Sequence, residues 1–481
     1  MAVTTNVACS DTAIRNAVDT AGASDIIKIA PGSCNITAPI ILDTTGITLT
    51  AQDINNRPVL TKTSERFVEI AASNVTVSYL VLDNGSRRSS YWYGVVRIIS
   101  GNAASIQRSL IRDGWMGIMI VSGHSHDIGF NEIHNFGTQN TSPENGSGFG
   151  IYNQSPGGSS YAQKIYIHDN DIYNAGGDSY QSEGASQNYV ELFNNKMHNN
   201  GEDAIDLKNA HFHRIHHNWL YANNGDGLVT HSNLTSTNIE FYNNKVYDNG
   251  WWGVYIVSGS NYSIYNNLIY GNAKDQSTYQ TRGLRVTATT STVYHNTIYD
   301  NGRAGYSGSA TFRNNALLSN GTGLDGNIRA SSTGTISNNY VYPASPGITG
   351  SSAITSATPG FANVAVADFT LVAGSVLINA GATGLGVTTD FADAARDASP
   401  DIGAYEAGGS PPPPPTPDTT PPVISGITSG TITTTTAIIN WTTDEASTTQ
   451  IHYGTSTGVY GSSSTLASGL VTAHQQTLTG L

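Results

Sequence analysis

The feature that most constrains this chain is a short phrase repeated nine times between residues 128 and 341: an apolar residue, two variable ones, an asparagine, one variable residue, then an apolar residue. The asparagines are Asn131, Asn170, Asn195, Asn218, Asn244, Asn267, Asn296, Asn315 and Asn339, and from Asn195 onward the six intervals (23, 26, 23, 29, 19, 24) average 24 residues. A period of that length, with strand-like runs and no helical pattern, describes a solenoid in which each coil stacks on the one before. The pattern predicts an all-β fold, a right-handed parallel β-helix.

Such a repeat turns sequence offsets into spatial neighbours. Residues at one offset from successive asparagines stack at about 4.8 Å, the spacing of paired strands. Offsets −3 and +2 are apolar, as in Leu192 and Met197, Ile215 and Leu220, Ile264 and Ile269, which makes them the dry interior. Offset +5 is Asn in most repeats (Asn200, Asn223, Asn249, Asn272, Asn301, Asn320), the pattern of a hydrogen-bonded side-chain ladder.

At 481 residues the chain exceeds one ordinary core, but a solenoid grows in one dimension. The only two cysteines, Cys9 and Cys34, precede the regular coils. A disulfide there would close the open end and would require an oxidising compartment. No apolar run is long enough to span a membrane. Met1 directly before Ala2-Val3-Thr4 reads as a start placed on a mature chain, so a secreted or cell-surface location is expected. A net charge of −13 argues against nucleic acid as a partner.

Domain organisation follows from where the phrase starts and stops. Residues 1–35 form a cap, with helical composition over Asp11–Ala21, and the β-helix runs to residue 407, its end closed by 344–407. A Gly-, Ser- and Asn-rich insertion at 137–163 interrupts the period. Residues 408–422 are a proline-rich spacer around Pro411–Pro415. Residues 423–481 alternate Thr, Ile and Val around Trp441 and resemble the beginning of a fibronectin type III sandwich, too short to complete one. A monomer is expected.

Three consecutive repeats break the ladder at the same two offsets. At +8 stand Asp178, Asp203 and Asp226; at +13 stand Glu183, Lys208 and His231. Three carboxylates at about 4.8 Å spacing repel one another unless some are protonated or a cation lies among them, and calcium is the natural occupant. Aspartates that merely serve turns are the alternative. Strand alternation in Gly201-Glu202-Asp203-Ala204-Ile205-Asp206-Leu207-Lys208 turns Asp206 and Lys208 to one outer face.

That octet, with Asn224-Gly225-Asp226-Gly227-Leu228 one coil later, resembles the motif of the β-helix polysaccharide lyases of pectate lyase family nine and, more loosely, the family of alginate and dermatan sulfate lyases. The resemblance implies calcium-assisted β-elimination on a uronic acid polymer. It makes Lys208 the base and Asp203 and Asp226 calcium ligands, with Asp178, Glu183 and Glu202 completing the set. This chain departs from the family at Gly225 and Val229, where aspartates are expected. His231 is placed to donate the leaving-group proton, and Arg282 and Arg285 to grip uronates; Arg285 is also counted with the catalytic groups. Trp251 and Trp252 either stack on sugar faces or pack a coil turn. His211, His213, His216 and His217 carry no zinc pattern, because alternation separates them and no cysteine joins them. A β-helix glycoside hydrolase with paired carboxylates and a non-catalytic carbohydrate-binding adhesin are the competing readings.

Overall fold

A computed structural model describes residues 2–62, 66–87, 93–138, 148–183, 187–273, 282–321, 325–344, 347–408, 424–454, 462–464 and 467–479. The chain divides into two compact units, Met1–Pro411 and Pro412–Leu481. The proline run Pro411–Pro415 lies outside the described residues.

The first unit is a right-handed parallel β-solenoid of about twelve coils. Its short strands stack into three parallel sheets of 16, 13 and 12 strands among the described residues. Short strands are what the sequence permits, because a corner interrupts each coil every few residues. The residue before each motif asparagine takes a left-handed conformation, with φ between 52° and 58° from Phe130 through Asn338, and this bends the chain from the 16-stranded into the 13-stranded sheet. Six of these nine corner residues are Asn or Asp, the side chains that tolerate this conformation best after glycine.

Beside that corner the motif asparagines stack in one continuous ladder. Each Nδ2 donates to the next Oδ1 at 2.9–3.2 Å from Asn131 to Asn339. The offset +5 asparagines form a second ladder at 2.7–3.0 Å, which Asn327 extends. Every rung is buried and hydrogen-bonded, so the polar columns line the interior without an unsatisfied-group cost. The offset −3 and +2 side chains are buried as predicted, with Ile336 in the last repeat only partly so.

At the N-terminal end Ser10 caps the helix Asp11–Asp19, and Ile14 and Val18 lie against the first coils. The strand Thr4–Val7 pairs in parallel with Ile26–Ile29. Cys9 and Cys34 are joined as a disulfide that ties the cap to the first coil. Its loop of 25 residues gives the unfolded cap substantial entropy to lose, so Cys34→Ser is expected to cost about 3 kcal/mol locally. Hydrogen exchange should show this as earlier opening of Thr4–Val7 and Ile26–Ile29, with coils beyond residue 100 unaffected.

The segment 344–407 does more than end the coil. Ser351 and Ile354 bridge to the last strands, and the chain then returns along the left-handed corner column. Asn314 Nδ2 donates to Ala382 O, Asn266 Nδ2 to Thr389 O, and Asn243 Nδ2 to Asp393 Oδ1, while His217 Nε2 contacts Asp393 Oδ2. A buried Arg396–Glu406 ion pair at 2.8 Å holds this strap together.

The second unit contains an antiparallel sheet of Ile424–Ile432, Thr436–Thr449 and Ala467–Thr479, with a separate two-stranded pair. Trp441 stacks on His474 within it.

Candidate active site

The 12-stranded sheet carries the chemistry. Along it the middle residue of each strand points outward, and the registered row reads Tyr152, Gln181, Asp206, Val229, Tyr255, Arg285, Ser307. One position beyond the strand ends, Gln154, Glu183 and Lys208 continue the register through their backbone N–H groups, and His231 follows Lys208.

Asp206 is the floor of the site, with its side chain 5% exposed. Lys208 Nζ lies 3.1 Å from Asp206 Oδ2, and His231 Nε2 lies 2.8 Å from Oδ1. Gln181 Nε2 donates to the same carboxylate at 3.3 Å. The amine and the imidazole are 22% and 38% exposed, so both reach solvent above the buried carboxyl group. Burial pulls the Lys208 pKa down, but the charge and hydrogen bond of Asp206, helped by Asp178 and Glu183, outweigh it and raise the value above the ordinary lysine range. Lys208 is therefore an ammonium ion at neutral pH. When His231 is neutral and donates Nε2–H to Asp206, Nδ1 is left as its basic nitrogen. On the neighbouring coil the Tyr152 hydroxyl donates to Glu183 at 2.9 Å. Burial, then Glu183, raises the Tyr152 pKa, so that phenol stays protonated.

The aspartate column exists, and its geometry is that of a ladder. Asp203 N–H donates to Asp178 Oδ1 at 2.9 Å, Asp226 N–H to Asp203 Oδ1, and Trp252 N–H to Asp226 Oδ1 at 2.7 Å. One oxygen of each carboxyl group is thus spent on the next coil's backbone. Burial, then the charges of Asp206 and Glu202, pushes Asp178 well above the usual carboxylate range; burial, then the charges of Asp226 and Asp178, does the same to Asp203, and burial brings Asp226 to about 8. Calcium prefers such hard oxygen donors, but among the described residues no three His, Cys, Asp or Glu side chains are placed to hold a metal ion together. The donor set expected for calcium, Asp178, Glu183, Glu202, Asp203 and Asp226, does not fit one.

Other expected site residues are redistributed. Asp206, expected to present its carboxylate to a substrate, is instead the nearly buried support beneath Lys208 and His231. Arg282 is buried, with Nη2 3.1 Å from Asp325 Oδ2 and its guanidinium over the Trp252 ring at 5.2 Å, so it cannot grip a sugar. Trp252 is only 7% exposed and takes the packing role, while Trp251 is half-buried. Arg285 stands three strands from Asp206, about 14 Å at the spacing of paired strands, too far to act in the same proton transfer. The histidines serve structure: His213 is buried with Nδ1 on His211 O, and His216 stacks between Phe193 and Tyr242.

Tyr152, Gln181 and Tyr255 were not anticipated. Gln181, Asp206, Val229, Tyr255 and Ser307 all stand at offset +11 from a motif asparagine, which is the signal that would have found the row. The insertions at 137–163 and before Arg285 break that count for Tyr152 and Arg285.

Three stacked parallel sheets with a lysine–carboxylate–histidine cluster on one outer face define a solenoid built to present a linear surface. The sequence model of the right handed beta helix region matches residues 93–269 and 234–358, together more than half of the 481 residues. The chain belongs to that family. No curated protein sequence matches it. The A-module of an Azotobacter vinelandii mannuronan C-5 epimerase is similar at 15% identity and a TM-score of 0.50, covering 72% of this chain and 92% of that one. A pectate lyase aligns at 15% identity and a TM-score of 0.43, over 84% and 97% of the two chains. An alginate lyase solved in complex with G6 aligns at 13% and 0.45, over 74% and 86%. Likeness at these identities concerns the coil alone.

Proposed function

We propose that the chain is an enzyme acting on a uronic-acid-containing polysaccharide, removing the proton at C5 and completing β-elimination as a polysaccharide lyase. The observation that carries this reading is the buried Asp206 carboxylate holding an ammonium ion and an imidazole side by side on an open sheet face. The C5 proton of a uronate is acidic only if the adjoining carboxylate is neutralised as charge moves onto it. Lys208 supplies a fixed positive charge for that purpose in a partly desolvated position. An ammonium ion has no lone pair, so the role of base passes from Lys208 to His231 Nδ1, with Asp206 stabilising the imidazolium that forms. The C5–H electron pair becomes the C4=C5 double bond, the C4–O bond breaks, and the imidazolium returns its proton to the departing oxygen.

A hydrolase needs two carboxyl groups free to face one glycosidic bond. Asp206 is occupied on both oxygens, and the column aspartates are tied to backbone, which favours the lyase. The disulfide supports action outside a reducing compartment.

Incubation with polygalacturonate and with alginate tests the reading. Ultraviolet-absorbing unsaturated ends are expected on one of them. New reducing ends without absorbance would mean hydrolysis, inverted C5 configuration without cleavage would mean epimerisation, and binding without turnover would mean an adhesin.

A further inference from the structure

Beyond the proton-transfer cluster the same sheet carries a second feature. Arg282, Arg303 and Arg329 all converge on one carboxylate oxygen, Asp325 Oδ2, at 3.1, 2.9 and 3.4 Å. Arg285 adds a fourth guanidinium, which lies 5.9 and 5.4 Å from the Trp252 and Tyr255 ring centroids. No carboxylate pairs with it among the described residues. This end of the sheet is therefore strongly positive on a chain of net charge −13. Between Arg285 and Arg329 opens a recess whose remaining walls include Thr287, Ser307, Ser309 and Thr333. The Ser307 residue is 6% exposed and its Oγ is buried with no hydrogen-bond partner. A buried hydroxyl without a partner is costly, and its position in a recess between two guanidinium groups points to an acceptor that belongs there.

The recess lies on the track that passes the reaction centre. Arg285, Ser307 and Arg329 continue the outward row that contains Asp206, at about 14 to 24 Å from it by strand spacing. A polysaccharide laid along the solenoid axis advances by about one sugar per coil. We infer that this recess is a distal subsite that binds the carboxylate of a uronic acid residue three to five sugars from the one held at Lys208. Arg285 and Arg329 meet the charge, and the Ser307 hydroxyl donates to a carboxylate oxygen. The inference rests on the polysaccharide reading above and extends it: long chains are held at both ends of the row, short ones only at the reaction centre.

The test uses the full chain with an Arg329→Ala, Ser307→Ala double variant, neither residue belonging to the proton-transfer cluster. Oligogalacturonates and oligoalginates of two to eight residues serve as substrates, and polygalacturonate, alginate and neutral dextran as calorimetric ligands. For the wild type, KM should fall as the oligomer becomes long enough to reach the recess. The double variant should raise KM for those long oligomers about tenfold, leave kcat unchanged, and match wild type on oligomers too short to reach. Affinity for the polyanions should drop, most at low salt, while dextran binds neither protein. A variant identical to wild type at every length, or impaired equally at every length, overturns the subsite while leaving the enzymatic reading intact. Polyanion binding that the variant loses, in a protein with no turnover on either polymer, supports the subsite and overturns the enzymatic reading. No binding of either polyanion by the wild type overturns both. Single variants of correct fold, checked by circular dichroism, replace the double variant if it does not express.

Discussion

His231→Ala is expected to lower turnover on the best uronate polymer by about two to four orders of magnitude, because it removes the proton acceptor. Lys208→Ala is expected to lower it by about a hundredfold or more through loss of the charge facing the substrate carboxylate. Lys208→Arg separates the two roles open to this residue. Arginine keeps the positive charge but cannot act as a base near neutral pH, so substantial retained activity supports the charge role, and activity as low as Lys208→Ala would return the base to Lys208. Because Asp206 is buried beneath the amine, Lys208→Ala also costs stability, on the order of 1–3 kcal/mol. Turnover is accordingly compared well below the melting transition of each variant. Near-native turnover in His231→Ala would remove the imidazole from the mechanism.

The aspartate column makes stability fall as the pH rises. An unfolded aspartate titrates near 4, whereas Asp226 in the folded chain titrates at about 8 and Asp178 and Asp203 also lie well above the usual range. Between those values the folded state holds protons that the unfolded state has released, so the stability present in acid is progressively lost up to and through pH 8. Thermal melts from pH 5 to pH 9 should show a declining Tm with no added metal. Asp226→Asn keeps an oxygen for the Trp252 N–H and removes one titrating group, so its Tm should decline less and exceed the wild-type value at pH 9. Millimolar calcium is expected to leave the wild-type Tm at pH 9 unchanged. A calcium-dependent rise that Asp226→Asn abolishes would identify the column as a cation site after all.

Regular positions were legible in the chain because a solenoid repeats its physics every coil. The spacing of Asn195, Asn218, Asn244 and Asn267, with apolar residues at −3 and +2, required stacked parallel coils, and the asparagines at +5 required a side-chain ladder, which Asn200, Asn223, Asn249 and Asn272 form. The stacking of Asp178, Asp203 and Asp226 was readable for the same reason. Their chemistry was not: an offset says that side chains are neighbours, but not which way each carboxylate turns, and here one oxygen of each turns to the backbone of the next coil.

By itself the sequence determined the coil, its dry interior, its asparagine columns and the face on which the unusual charged residues gather, since all of these follow from local periodicity. Tertiary structure alone decided that Asp206 lies beneath Lys208 and His231, that Arg282 is buried against Trp252 and Asp325, and that the strap at 380–404 returns along the left-handed corner. Those outcomes depend on side-chain direction and on contacts across 25 to 176 residues of chain. Burial and charge pairing select among rotamers there, and the repeat leaves that choice open.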